Sequence, residues 1–70
     1  MQVTGYLVHG YKNKIEFLSD SDVAAGNRWR KIIRRDRIKN LTITDDTVRF
    51  YDNVKKNCNR IGQACKIELH

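Results

Sequence analysis

The side chains of this 70-residue sequence best equipped for chemistry are cations, and they are crowded into one place. Between positions 28 and 39 stand Arg28, Arg30, Lys31, Arg34, Arg35, Arg37 and Lys39, opposed only by Asp36. The whole chain has 14 Lys and Arg against 8 Asp and Glu, a net charge of +6, so this window holds the entire surplus and the rest is neutral. Like charges at i, i+4 destabilise a helix by roughly 0.2–0.5 kcal/mol per pair, and an uncommitted surface interleaves acids among its bases. A guanidinium fork matches two phosphate or carboxylate oxygens at once, and most of these cations are arginines. The chemistry implied is contact with a polyanion.

Two partners fit. Nucleic acid, RNA or a ribonucleoprotein ahead of a specific DNA site, is favoured by the arginine density and by aromatic residues suited to stacking. Arg49 and Tyr51, with Tyr6 and Tyr11, are candidates for the same surface, and a base stacked on an aromatic ring gains about 1–3 kcal/mol. The alternative is a regulatory protein that binds and inhibits an acidic surface of a host protein or defence complex, since charge complementarity serves either partner. In size and composition the chain resembles the small accessory proteins that phages and mobile elements encode to modulate host machinery. No RNA-recognition, KH, zinc-finger or helix-turn-helix motif carries that likeness further. The expected binding set is Arg28, Arg30, Lys31, Arg34, Arg35, Arg37, Lys39, Arg49 and Tyr51.

Other chemistries have less to stand on. Cys58 and Cys65, with His9 and His70, lack the C-x2-C or H-x3-H spacing of a zinc knuckle, so both thiols are expected as reduced core residues with no metal. There is no G-x-S-x-G turn and no phosphate-cradling glycine loop, and Asp20, Asp22, Asp45 and Asp46 read as caps and turns, a divalent-ion nuclease using Asp45 and Asp46 being the lesser alternative. The expectation is a non-enzymatic binding protein with no cofactor and no small-molecule substrate. Asn40-Leu41-Thr42 matches a glycosylation sequon, which has meaning only in a secreted protein. No apolar run approaches the ~18 residues of a membrane span, and the start lacks a signal-peptide pattern, so a cytoplasmic protein with no membrane partner is expected.

The elements that must position these residues follow from periodicity. Apolar residues make up 40 % of the chain, enough for one small core, hence a single domain over residues 1–70. Val3 to Val8 and Lys14 to Leu18 read as strands joined by a loop containing Gly10. Ser19-Asp20-Ser21-Asp22 offers side-chain oxygens to cap a helix. At 100° per residue, Ala25, Trp29, Ile32 and Ile33 fall on one arc with the cations opposite, which predicts an amphipathic helix ending near Asp36, with Trp29 buried. Gly26 lies within or beside that arc, marking either close packing or a regular helix that begins only at Asn27. Asn40–Thr44 and Thr47–Tyr51 alternate around Asp45-Asp46 and predict a hairpin with Leu41, Ile43, Val48 and Phe50 inward and Thr42, Thr44, Arg49 and Tyr51 outward. Asp52 or Asn53 should cap a short second helix carrying Val54, Cys58 and Ile61 and ending at Gly62, before a last strand with Cys65, Ile67 and Leu69 inward. The expected fold class is α+β in the order ββαββαβ, a mainly antiparallel sheet against a basic helix and a short second one.

Overall fold

Alternating apolar positions dominate the chain, and the computed structural model, which describes residues 1–70, is accordingly built from strands. The order is β1 (Gln2–Gly10), β2 (Lys14–Ser19), α1 (Asp20–Ala24), β3 (Lys31–Arg34), β4 (Ile38–Phe50) and β5 (Arg60–Leu69), with 3₁₀ turns at Arg35–Arg37, Tyr51–Asn53 and Asn57–Asn59. Every pairing is antiparallel and the strands lie in the order β3-β2-β1-β5-β4. The protein is thus a small, mainly β domain with one short helix; the expected two-helix α+β layout is corrected. The first hairpin lies where periodicity places it, and the last strand carries Cys65, Ile67 and Leu69 as expected but starts earlier, at Arg60, and runs through Gly62.

The cap at Ser19 is real, and the long basic helix is not. Ser19 Oγ accepts from the Asp22 amide and Asp22 Oδ2 accepts from the Ser19 amide, both at 3.2 Å, a reciprocal capping box. Five residues later the helix is closed. Gly26 takes φ +72°, its amide donates to the Val23 carbonyl, and the Asn27 amide donates to the Asp22 carbonyl at 2.8 Å. These two bonds form a Schellman motif, which a left-handed glycine permits at no Cβ cost. Beyond it the chain is extended, and the β-branched pair Ile32-Ile33 joins the sheet edge, with Ile33 opposite Ile15. The apolar arc therefore never forms. Ile33 packs on the core, but Ala25 is exposed, Ile32 is 55 % exposed and Trp29 is 85 % exposed.

The second hairpin is also overturned. Leu41 and Ile43 pair with Ile67 and Cys65, and Val48 pairs with Gln63, so β4 runs on along one partner without reversing. Thr44 to Thr47 bulge against the single residue Ala64. The turn chemistry of the aspartates survives inside that bulge: Asp45 Oδ1 accepts from the Thr47 amide at 2.9 Å, and Gln63 Nε2 donates to the Asp46 carbonyl at 2.9 Å. The inward and outward alternation of β4 is as expected, with Leu41, Ile43, Val48 and Phe50 half-buried and Thr42, Thr44 and Arg49 exposed; Tyr51, expected outward, is half-buried.

No second helix forms either. Asp52 and Asn53 occupy left-handed backbone at φ 53° and 56°, a conformation these short polar residues tolerate, and this breaks the chain into separate turns. Val54 and Cys58 are exposed, while Ile61 is buried on β5. Gly62 lies inside that strand at φ +101°, beside a bulge left by the pairings Arg49 with Gly62 and Phe50 with Arg60. A Cβ here would overlap the Leu7 carbonyl and come within 2.8 Å of Val8 Cα, so glycine lets β1 and β5 approach.

The main core cluster lies on one sheet face: Ile15, Phe17, Cys65 and Ile67, flanked by Val3, Leu7, Ile33, Ile38, Leu41, Ile43 and Leu69. Val8, Leu18 and Ile61 are buried outside this cluster, Leu18 on the opposite face of β2 from Phe17. With no second layer to cover it, the sheet covers itself by coiling. Arg34 pairs beside the upper end of β1 and Ile38 beside its lower end, positions separated in a flat sheet by about 27 Å along the strand at 3.3 Å per residue. The three residues between them reach about 14 Å at most. The Arg35–Arg37 turn accordingly clasps two ends of the molecule, the Arg35 amide donating to the Asn13 carbonyl and the His70 amide to the Arg37 carbonyl.

Candidate functional site

Because the basic window is divided among a loop, an edge strand and a turn, its cations part company. Arg28 lies over the Tyr51 ring at 5.3 Å and 3.7 Å from Asp52, while the Tyr51 hydroxyl donates to the Asn27 carbonyl at 2.8 Å. Burial raises the Tyr51 hydroxyl above the ordinary phenol pKa. Arg30 turns inward, its Nη1 3.6 Å from Glu16 Oε1 and its Nη2 donating to the Asn57 carbonyl. Lys31 stands 3.6 Å from Asp22, and Arg34 3.3 Å from Asp36. Arg35 Nε donates to the Tyr11 carbonyl at 2.5 Å, Arg37 is exposed in the clasping turn, and Lys39 is 3.8 Å from Glu68 on the far edge. Arg49 covers Tyr6 at 5.9 Å, away from this edge on the β4 side.

The nine residues expected to share one surface are therefore split. Arg28, Arg30 and Tyr51 gather at the beginning of β3, and Arg34, Arg35 and Arg37 gather beyond its end, where Lys12 joins Arg34 and Arg35 around a shallow hollow. An extended chain of four residues separates Arg30 from Arg34, about 13 Å at 3.3 Å per residue. Lys31, the first residue of β3, lies between the two groups, and Lys39 and Arg49 belong to neither. Ion pairs exposed on both sides are worth about 0–1 kcal/mol, so those of Arg28 and Arg34 are readily exchanged for a phosphate, whereas Lys31 faces an Asp22 side chain that is only 14 % exposed. The pair of Arg30 and Glu16 is different, since their side chains are only 16 % and 20 % exposed.

The residue that sequence reasoning placed wrongly is the most conspicuous one on the surface. Trp29 projects from the loop after α1, between two arginines, above a cleft of about 580 Å³ lined by Glu16, Arg28, Trp29, Arg30, Asn57 and Cys58. Its backbone is held by the Asn27 side chain, whose Oδ1 accepts from the Trp29 amide at 3.0 Å. The cleft walls are tied by a polar network. Tyr11 Oη donates to Glu16 Oε1 at 3.1 Å, and His9 Nε2 meets Asn57 Oδ1 at 2.8 Å. The Glu16 carboxylate accepting from the Tyr11 hydroxyl holds that phenol above its usual pKa. A second hollow, lined by Val48, Arg49, Phe50, Lys55 and Ile61 among others, has no exposed aromatic ring.

Glu16, Asn57 and Cys58 carried no sequence signal as site residues. Trp29 did carry one. The stop signal Gly26-Asn27 followed at once by Arg28-Trp29-Arg30 places an aromatic residue in a charged loop, where exposure is the rule. Cys58, expected in the core, is exposed on the cleft wall, whereas Cys65 is buried and burial pushes its thiol up to about 11. No three His, Cys, Asp or Glu side chains converge on one point. Comparison of the chain with protein-family models, with curated proteins and with solved structures finds no match.

Proposed function

We propose that the chain is a non-enzymatic binding protein for single-stranded nucleic acid, RNA or a ribonucleoprotein, and that the contact runs along the β3 edge from the Trp29 cleft to the Arg35–Arg37 turn. The observation that carries this reading is the 85 % exposure of Trp29 between Arg28 and Arg30. An exposed indole beside guanidinium groups offers a face for a base and charge for its phosphates, the two components of single-strand recognition. Arg34, Arg35, Arg37 and Lys12 extend the track by a length suited to a few nucleotides. Arg30 is the exception within the basic window, since it serves Glu16 and Asn57 in the wall.

A second reading rests on a different observation. Ile32, three residues after Trp29, is 55 % exposed on an edge strand whose outer backbone groups have no strand partner. Trp, Arg and an unpaired edge also suit a protein that adds a strand there, as an inhibitor of an acidic partner would.

The only tryptophan of the chain is at the site, so intrinsic fluorescence reports binding directly. Titration with a single-stranded RNA hexamer should quench it, with log K falling against log salt at a slope of about −2 to −3 for three or four phosphates at ~0.7 each. Arg34→Glu with Arg37→Glu should remove most of that affinity while the fold persists, because neither side chain supports the core. Arg35 is left in place, since it holds the Tyr11 carbonyl. An absence of quenching by any nucleic acid at low salt would discard this reading in favour of the protein partner.

A further inference from the structure

We infer that the cleft beside Trp29 is a base-selective subsite for guanine, read by Glu16 and Arg30. The inference rests on the nucleic-acid reading of the same surface and adds what a charge track alone lacks, a preference among bases. Both protein contacts of the Glu16 carboxylate, the Tyr11 hydroxyl at 3.1 Å and Arg30 Nη1 at 3.6 Å, approach Oε1. Oε2 has no protein partner, and a carboxylate has about four acceptor positions in all. The carboxylate thus retains acceptor capacity in a cleft whose rim is an exposed indole.

A base stacked on Trp29 and turned edge-on to this pair meets a guanidinium donor beside a carboxylate acceptor. Guanine offers the complementary edge, with the O6 acceptor next to the N1–H and N2–H donors, and the two donors can engage one carboxylate side by side. Uracil puts a single imino donor between two carbonyl oxygens, which the carboxylate repels. Cytosine and adenine present one amino donor beside an unprotonated ring nitrogen, again a lone pair facing a negative charge. The polar network of Tyr11, Glu16, Arg30 and Asn57 fixes the donor and acceptor before a base arrives, so little ordering is needed on binding.

The test uses the intact 70-residue protein and uracil hexamers that carry one central guanine, inosine, adenine, cytosine or uracil, followed by Trp29 quenching. The expected result is about tenfold or tighter binding of the guanine hexamer than of the uracil hexamer, in the range measured for one bidentate base contact. Inosine, which lacks the N2 amino group, should lose most of that gain. Glu16→Gln should abolish the guanine preference, bringing the guanine and uracil hexamers to about the same affinity. Tyr11→Phe, which keeps the carboxylate, should retain the preference and serves as a second variant should Glu16→Gln unfold. Equal binding of all five hexamers would overturn the guanine assignment and leave the nucleic-acid reading standing, as would a preference for guanine that inosine matches. Failure of every hexamer to bind would overturn both.

Discussion

Replacing Trp29 with alanine sets folding against the proposed binding, because the structure gives this residue little part in the first. At 85 % exposure, roughly a seventh of its surface is covered by the protein. With about 250 Å² for a tryptophan side chain and about 25 cal/mol per Å² of apolar area, that covered part is worth at most ~1 kcal/mol. A tryptophan at the centre of a core would instead cost about 3–5 kcal/mol on truncation, most of the stability of a domain this small. Trp29→Ala should therefore shift the urea midpoint only slightly, with the slope of the transition unchanged. The wild-type protein should show the red-shifted, readily quenched emission of a solvated indole. Loss of one stacked base, about 1–3 kcal/mol, should weaken binding of a single-stranded hexamer by about 5- to 150-fold. Equilibrium unfolding by circular dichroism and a hexamer titration followed by anisotropy of the labelled strand measure the two effects separately. Cooperative loss of structure in the variant, or blue-shifted emission in the wild type, would refute the exposed loop and restore a buried tryptophan.

The other predictions concern the frame that holds this loop. Gly62→Ala should destabilise by about 2 kcal/mol or more, from the positive φ together with overlap on the Leu7 carbonyl, and chemical denaturation reads it directly. Ser19→Ala should cost about 1 kcal/mol by uncapping α1. In the wild type, the Ser19 contacts hold the Asp22 carboxyl below its ordinary pKa, so their contribution is present above the usual carboxylate range and is lost as pH falls through it; an acid titration that leaves the Ser19→Ala variant as acid-sensitive as wild type would count against the capping box. A thiol reagent should label Cys58 rapidly and Cys65 only on unfolding. With the Cys65 thiol at about 11, raised from 9.0, the fold favours its neutral form, so this contribution is intact below pH 9 and lost as pH rises toward 11.

Much of the strand framework was legible in the sequence, since an alternation of two is a local property of the chain. Leu41 and Ile43 on β4, and Cys65 and Ile67 on β5, turn inward as that pattern requires. The capping box at Ser19 was equally legible, since it needs only residues three apart. The basic window misled because Ala25, Trp29, Ile32 and Ile33 satisfy a helical period only if Gly26 is ignored. Gly26-Asn27 closes the helix by two local bonds, and four extended residues then satisfy the sheet edge as well as an arc would have satisfied a core.

What no local pattern could supply is the meeting of distant parts. Asp45-Asp46 has the chemistry of a turn, yet whether it reverses the chain or bulges from it depends on β5 lying alongside to pair with both flanks. The cleft is likewise a product of coiling. Glu16 comes from β2, Trp29 and Arg30 from the loop before β3, and Asn57 from the turn before β5, and they converge because the sheet coils to enclose its main apolar cluster. The sequence by itself determined which residues alternate, which cap and how much positive charge there is to place. Only the tertiary structure decided that the charge would be divided along a sheet edge and that Trp29 would face solvent, because a core already filled by Ile15, Phe17, Cys65 and Ile67 takes Ile33 from that segment and leaves its tryptophan outside.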